Sequence, residues 1–207
     1  MGEELQLGAA LGGLELRAAG AAGGRQIRGR FPYGKRAVLS DGGKTGRPRK
    51  EVIAPKAFAY RVERRETIHL LVGHSYDRPL ASTDNGSLLL RDTPEALSFE
   101  ARIAPELERA PFVADFWGAF EAGLIRGVSP GFRIPPPAAV PPEEAEKTEE
   151  EDPAEGRALI RTIFQALLFE LSLVVAAAYS ETEVAEARSG LILPQRAPVS
   201  HLRRWRA

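Results

Sequence analysis

A chain of 207 residues carrying 28 basic and 28 acidic side chains is long enough for one sizeable core, and one domain is the expected count. Its zero net charge leaves no electrostatic footprint for nucleic acid or for an anionic membrane surface, so neither is expected as a partner. The absence of cysteine excludes disulfide scaffolds, thiol nucleophiles and zinc–thiolate sites together.

The N-terminus is acidic at its head and lacks the basic-then-apolar order of a signal peptide, and residues 1–12 read as a flexible leader to the fold. The longest apolar run, Leu171 to Tyr179, is nine residues and too short to cross a bilayer as a helix; a soluble, intracellular protein is expected. From Leu14 to about Ser40 the runs LELRAAG, RQIRGRFPYG and KRAVLSDGG read as strands cut by glycine-rich turns. In EVIAPKAFAY (51–60), Pro55 suits the first turn of a short helix. TIHLLVGH (67–74) is a mostly apolar strand, and SYDRPLASTDNG a loop. SLLLRD (87–92) and ALSFEARI (96–103) then form a hairpin, in which Leu97, Phe99, Ala101 and Ile103 alternate with polar residues as one buried face requires.

Over Ala104–Arg126 the period changes. Pro105 opens a long helix with Leu107, Phe112, Phe116, Phe120 and Leu124 as its apolar stripe, and Gly127 stops it. GVSPGFRI resumes a β pattern. Residues 135–156 are Pro-rich and then acidic, with too little apolar surface to offset ordering entropy; they read as a mobile excursion between strands. RALIRTIFQALLFELSLVVAAAY (157–179) supplies two further β-rich runs, TEVAEARSG a short helical pattern, and residues 191–207 a basic peripheral tail. The sum over residues 13–190 is a β-rich α+β domain. A closed or partly open β-barrel of mostly antiparallel strands, with one long amphipathic helix and minor peripheral helices, is expected. No phosphate-binding glycine loop and no cluster of metal-ligand spacing occurs.

Three places can carry chemistry. Of the histidines His69, His74 and His201, His74 follows Gly73 at a strand end, where a rigid element can present a general base; a surface or hydrogen-bonded loop histidine is the competing reading. Ser129, between Gly127-Val128 and Pro130-Gly131, is either a conformational turn residue or a nucleophile with room beside it for a substrate carbonyl. Pro130 has no N–H, so the amide after the serine cannot serve an oxyanion; the amides of Ser129 or Gly131, or another loop, would. Glu170 interrupts the apolar run LLFELSLVV. On a half-exposed strand it and Ser172 share an outer face; on a strand covered on both sides its carboxylate needs a partner, for which an imidazole is suited. Sequence separation says nothing about proximity, and the residues alone lead as far as a candidate serine hydrolase.

At these residues the chain resembles the prohead proteases of tailed bacteriophages, serine peptidases with a fold similar to the herpesvirus assemblins. The likeness runs over roughly residues 13–185. EVIAPKAF (51–58) is similar to the family's E-x-I-x-P-G-A-F, with Lys56 where glycine is usual. LLVGHSYDRPLAST (70–83) resembles L-x-x-H-D…P-L-G-x-T, with Ser75 and Ala81 replacing the frequent aspartate and glycine. Ala96-Leu97 stands where a G-L pair commonly opens the second hairpin strand. GVSPGF resembles G-x-S-x-G-F, and FELSLV resembles x-E-[VI]-S-x-V. The resemblance implies Ser129 as nucleophile, His74 as general base and Glu170 as the acidic third member, with His69 a minor alternative because assemblins use a second histidine there. It implies no metal and no cofactor. It further implies a protease held inside the immature capsid in the host cytoplasm, which self-associates or docks there. Its substrates would be the scaffold, or the scaffolding part of the major capsid protein, and itself; a catalytically inactive assembly protein on the same fold is the alternative.

Overall fold

The computed structural model describes residues 6–7, 14–17 and 24–175. Their elements run β1 (Gln6–Leu7), β2 (Leu14–Arg17), β3 (Gln26–Pro32), β4 (Arg36–Ser40), β5 (Arg49–Ile53), α1 (Ala59–Glu63), β6 (His69–Val72), β7 (Ser75–Ser82), β8 (Leu88–Asp92), β9 (Ala96–Arg102), α2 (Pro111–Glu121), β10 (Gly127–Arg133), α3 (Pro142–Ala145), β11 (Glu146–Glu150), β12 (Leu159–Ile163) and β13 (Leu167–Val174). The fold is β-rich α+β. Its strands assort into three sheets, ordered β2-β3-β9-β8, β11-β12-β5-β4 and β1-β10-β13-β6-β7, and none closes on itself among the described residues.

The β8–β9 hairpin forms as its alternation requires, with Asp92 paired to Leu97 and Leu97, Phe99 and Ala101 buried. Phe31 of β3, Phe132 of β10 and Phe58, in the turn before α1, are fully buried and meet in one core. The turn holding Phe58 also explains why glycine suits position 56: Lys56 has φ 64, in the left-handed region.

Several elements differ from the sequence expectations. The long helix is shorter, because Pro111 rather than Pro105 takes its first position. Inside a helix Pro111 would remove a hydrogen bond and clash with the preceding turn, and Ala110 is extended as a residue before proline prefers. Only a short 3-10 turn, Leu107–Arg109, precedes it. The helix stops at Gly123 rather than Gly127: Gly123 has φ 70, and the Gly123→Phe120 and Leu124→Ala119 backbone bonds, 2.9 Å each, make a Schellman close. The buried stripe is accordingly Val113, Phe116 and Trp117, while Leu124 is exposed.

SYDRPLAS is not a loop but β7, an edge strand. Its pairing with β6 is broken by irregularities, and an edge tolerates the missing N–H of Pro79. Within the Pro-rich and acidic stretch 135–156, residues 142–150 form α3 and β11. β11 pairs antiparallel with β12 and turns mostly charged, exposed side chains outward, so backbone pairing and ion pairs such as Arg161–Glu146 hold it rather than apolar burial. Gln6 and Leu7, within the leader expected over 1–12, pair with β10. The remainder of that leader, the TEVAEARSG pattern, the 191–207 tail and His201 lie outside the described residues. No helix among the described residues is long and apolar enough to cross a membrane.

Candidate active site

The five-stranded sheet positions all three expected site residues: Ser129 on β10, Glu170 on the adjacent β13, and His74 in the turn that joins β6 to β7. β10 and β13 pair antiparallel, with Ser129 opposite Ser172 and Gly131 opposite Glu170. Ser129 therefore sits within a strand, not in the tight turn its neighbours suggest. Pro130 is accommodated because β1 pairs only with Gly131 and Phe132, so at position 130 β10 has one strand partner among the described residues. Beyond Gly131 the register slips: Phe132 pairs with Leu168, leaving Phe169 as an extra residue on β13. Such a bulge re-aims side chains. Leu168, Leu171 and Leu173 all enter the core, a spacing that an uninterrupted period of two cannot keep, and the bulge lets Glu170 and Ser172 share the opposite face.

β6 lies parallel beside β13 and returns as β7 through a two-residue turn, Gly73-His74, between the paired Val72 and Ser75. Both turn residues have φ 61, as a type I′ hairpin requires. Glycine adopts this freely, whereas His74 does so at a cost of about 1–2 kcal/mol; the surrounding hydrogen bonds hold it there. The Gly73 amide donates to the Leu173 carbonyl at 3.1 Å, and the His74 amide to Ser172 Oγ at 2.9 Å.

With the backbone fixed in this way, the His74 imidazole meets Glu170: Nδ1 lies 2.7 Å from Oε1. The other carboxylate oxygen, Oε2, accepts a 2.7 Å hydrogen bond from the Ser172 hydroxyl. Glu170 and Ser172 are 0 % exposed, Ser129 is 1 % exposed and the His74 side chain 21 %. Both faces of β13 are thus covered. A carboxylate in such a place is tolerable only when paired and hydrogen-bonded, as this one is. The outer-face reading of Glu170, under which it needs no partner, does not apply.

His74 and Glu170 are brought together, and Ser129 is placed one strand away, opposite the residue that bonds to both. His69, the alternative third member, pairs in register with Glu170 on β6, but its ring packs edge-on against Tyr76 at 5.8 Å, and the imidazole on the carboxylate belongs to His74. Partial desolvation of the half-exposed Tyr76, and secondarily the Glu170 charge, push its hydroxyl above its ordinary pKa. The Phe169 ring lies against Arg61 at 4.1 Å and Arg133 at 5.1 Å. A cleft of about 680 Å³ flanks the hairpin tip, lined by Gly73, Ser75, Arg78, Phe112, Phe116 and Leu124 among others. No group of three or more His, Asp or Glu side chains among the described residues is placed to hold a metal ion.

Two contributors escape a reading of the sequence. Ser172 stands two residues from Glu170, a spacing that puts both on one strand face, but only the register shows what that face meets. Gly131 is the other: a Cβ there would fall 2.0 Å from Glu170 Oε1, so its lack of a side chain makes room for the carboxylate.

A search of curated proteins and a search of solved structures find no match to the chain. The family model described as Caudovirus prohead serine protease matches residues 39–192, most of the chain and all three of the residues just described. The chain belongs to the caudovirus prohead serine proteases, the peptidases of phage capsid maturation.

Proposed function

We propose that Ser129, His74 and Glu170 form the catalytic triad of this protease. The observation that carries the reading is the 2.7 Å contact between His74 Nδ1 and the buried Glu170 carboxylate, beside the strand that holds Ser129. With Nδ1–H donating to Glu170, the free electron pair of the imidazole is on Nε2. Nε2 takes the Ser129 proton as Oγ attacks the peptide carbonyl; the imidazolium, stabilised by Glu170, then protonates the leaving amine. The ester left on Ser129 is opened by water, which passes a proton to Nε2 and returns the serine. Pro130 offers no amide, so the oxyanion is received by the amide of Ser129 or Gly131, or by another loop.

The substrates in this reading are the scaffold or the scaffolding part of the major capsid protein, and the protease itself, within the procapsid. Family membership supports capsid proteins in general as substrates, and the choice among them belongs to this proposal. Ser129→Ala co-expressed with the major capsid protein and scaffold is expected to lower cleavage by roughly 10⁴-fold or more, the scale of losing a triad nucleophile. A fluorophosphonate should label the wild-type chain at Ser129 and leave the variant unlabelled. Cleavage by Ser129→Ala at the wild-type rate would overturn the assignment. A wild-type chain that neither cleaves nor labels would be an assembly protein on a protease fold.

A further inference from the structure

We infer that Ser172 is a positioning residue of the catalytic site, whose hydroxyl locks the Glu170 carboxylate and the His74 backbone into one unit. The inference rests on the triad reading above. A serine hydroxyl has one proton. Here it is donated to Glu170 Oε2, so towards the His74 amide, which can only donate, the same oxygen is the acceptor. Together with the Nδ1 contact to Oε1, these bonds close a ring through Glu170, Ser172 and both the main chain and side chain of His74.

The ring does two things that neither partner does alone. The terminal torsion of a glutamate is broad and two-fold, so one bond to Oε1 leaves the carboxylate free to swing; the second bond fixes its plane against the imidazole. The amide bond holds His74 in its left-handed conformation at φ 61, from which the ring reaches Glu170. Both anchors must be in place for Nε2 to point in one direction, and the cost of misplacing a catalytic group is steep. The Ser172 hydroxyl is committed to Glu170 Oε2 and its oxygen to the His74 amide, so despite lying opposite Ser129 it is no second nucleophile.

The test compares the wild-type chain with Ser172→Ala, Ser172→Thr and Ser172→Val, using a fluorophosphonate as probe and its second-order labelling rate at Ser129 as readout. Thr keeps the hydroxyl and Val has the same shape without it, so this pair remains informative if Ala fails to fold. Labelling about 100-fold slower in Ala and Val, with most of the rate restored in Thr, is expected for folded protein. In a Ser129→Ala background, the downfield Nδ1 proton signal of His74 should be lost or moved in the Val variant and kept in Thr. Wild-type labelling rates in Ala and Val overturn the inference. So does a rate that falls only with the folded fraction, or a His74 signal unmoved in Val. The two readings fail separately: no labelling of wild-type Ser129 removes the triad, whereas normal labelling in every Ser172 variant removes only the role of Ser172.

Discussion

Gly131 shows how a single missing side chain can make room for a buried carboxylate. Its φ is not in the left-handed region, so glycine is not needed there for backbone freedom. Space is what it provides, since an added Cβ would lie 2.0 Å from Glu170 Oε1 and 2.9 Å from its Cγ. The carboxylate is fully buried and held at both oxygens, and cannot yield without breaking a bond to His74 or Ser172. Gly131→Ala should therefore fold and yet lose about 100-fold or more in fluorophosphonate labelling of Ser129. Full labelling in a variant of native circular dichroism would show that the carboxylate has room to spare. From the sequence, the glycines around Ser129 suggest a sharp turn with space for a substrate carbonyl. The true neighbour lies on another strand, and only the β10–β13 register reveals it.

At the scale of elements, legibility follows how local the cause is. The β8–β9 hairpin was readable because its alternation records burial directly, and the His74 strand end because glycine marks the turn. The bulge at Phe169 was not: LLFELSLV is apolar on both faces, and nothing in it says where the period slips. Helix α2 was half legible: its apolar residues mark a helix, but Pro111, which cannot sit inside one, sets a later start than the expected Pro105. The β5–β12 pair holds a further element whose chemistry can be tested. Glu51 is buried on β5, opposite Arg161 of β12, whose guanidinium lies 3.3 Å from Oε2, while Oε1 has no hydrogen-bond partner. Burial raises the Glu51 carboxyl pKa, and the Arg161 charge offsets this only in part. An acid whose pKa is higher folded than unfolded keeps its proton longer in the native state. Its contribution to stability is therefore lost as pH rises from the unfolded value through the folded one. Glu51→Gln removes that loss, and Arg161 keeps Glu146 as an ion-pair partner. The melting temperature of Glu51→Gln relative to wild type should thus increase from about pH 4 towards neutrality. A difference that stays flat or shrinks over that range would show that the Arg161 pair outweighs burial.

At the scale of the whole molecule, the sequence pattern announced many short strands but not how they would divide, because sheet membership is decided by pairing between distant segments. The Phe31–Tyr33–Phe58–Phe132 cluster joins what the sheets separate. Phe58 follows β5 of one sheet, and its ring centroid lies 6.1 Å from Phe31 of the second and 5.7 Å from Phe132 of the third. Tyr33 adds another contact at 6.1 Å and anchors its hydroxyl on Asp92 at 2.9 Å. Phe132 belongs to the same strand as Ser129, so this core also supports the site. Phe58→Ala would leave a cavity among all three sheets, costing about 3–5 kcal/mol. In a domain of this size that corresponds to a fall in melting temperature of roughly 10 °C or more. If the sheets share one core, far-ultraviolet and near-ultraviolet circular dichroism will follow a single transition that moves as a whole, and Phe58→Leu, which refills part of the cavity, will recover part of the fall. Two transitions, of which only one moves, would mean that one sheet melts on its own. In that case the aromatic cluster would be a contact between independently stable parts rather than their common core.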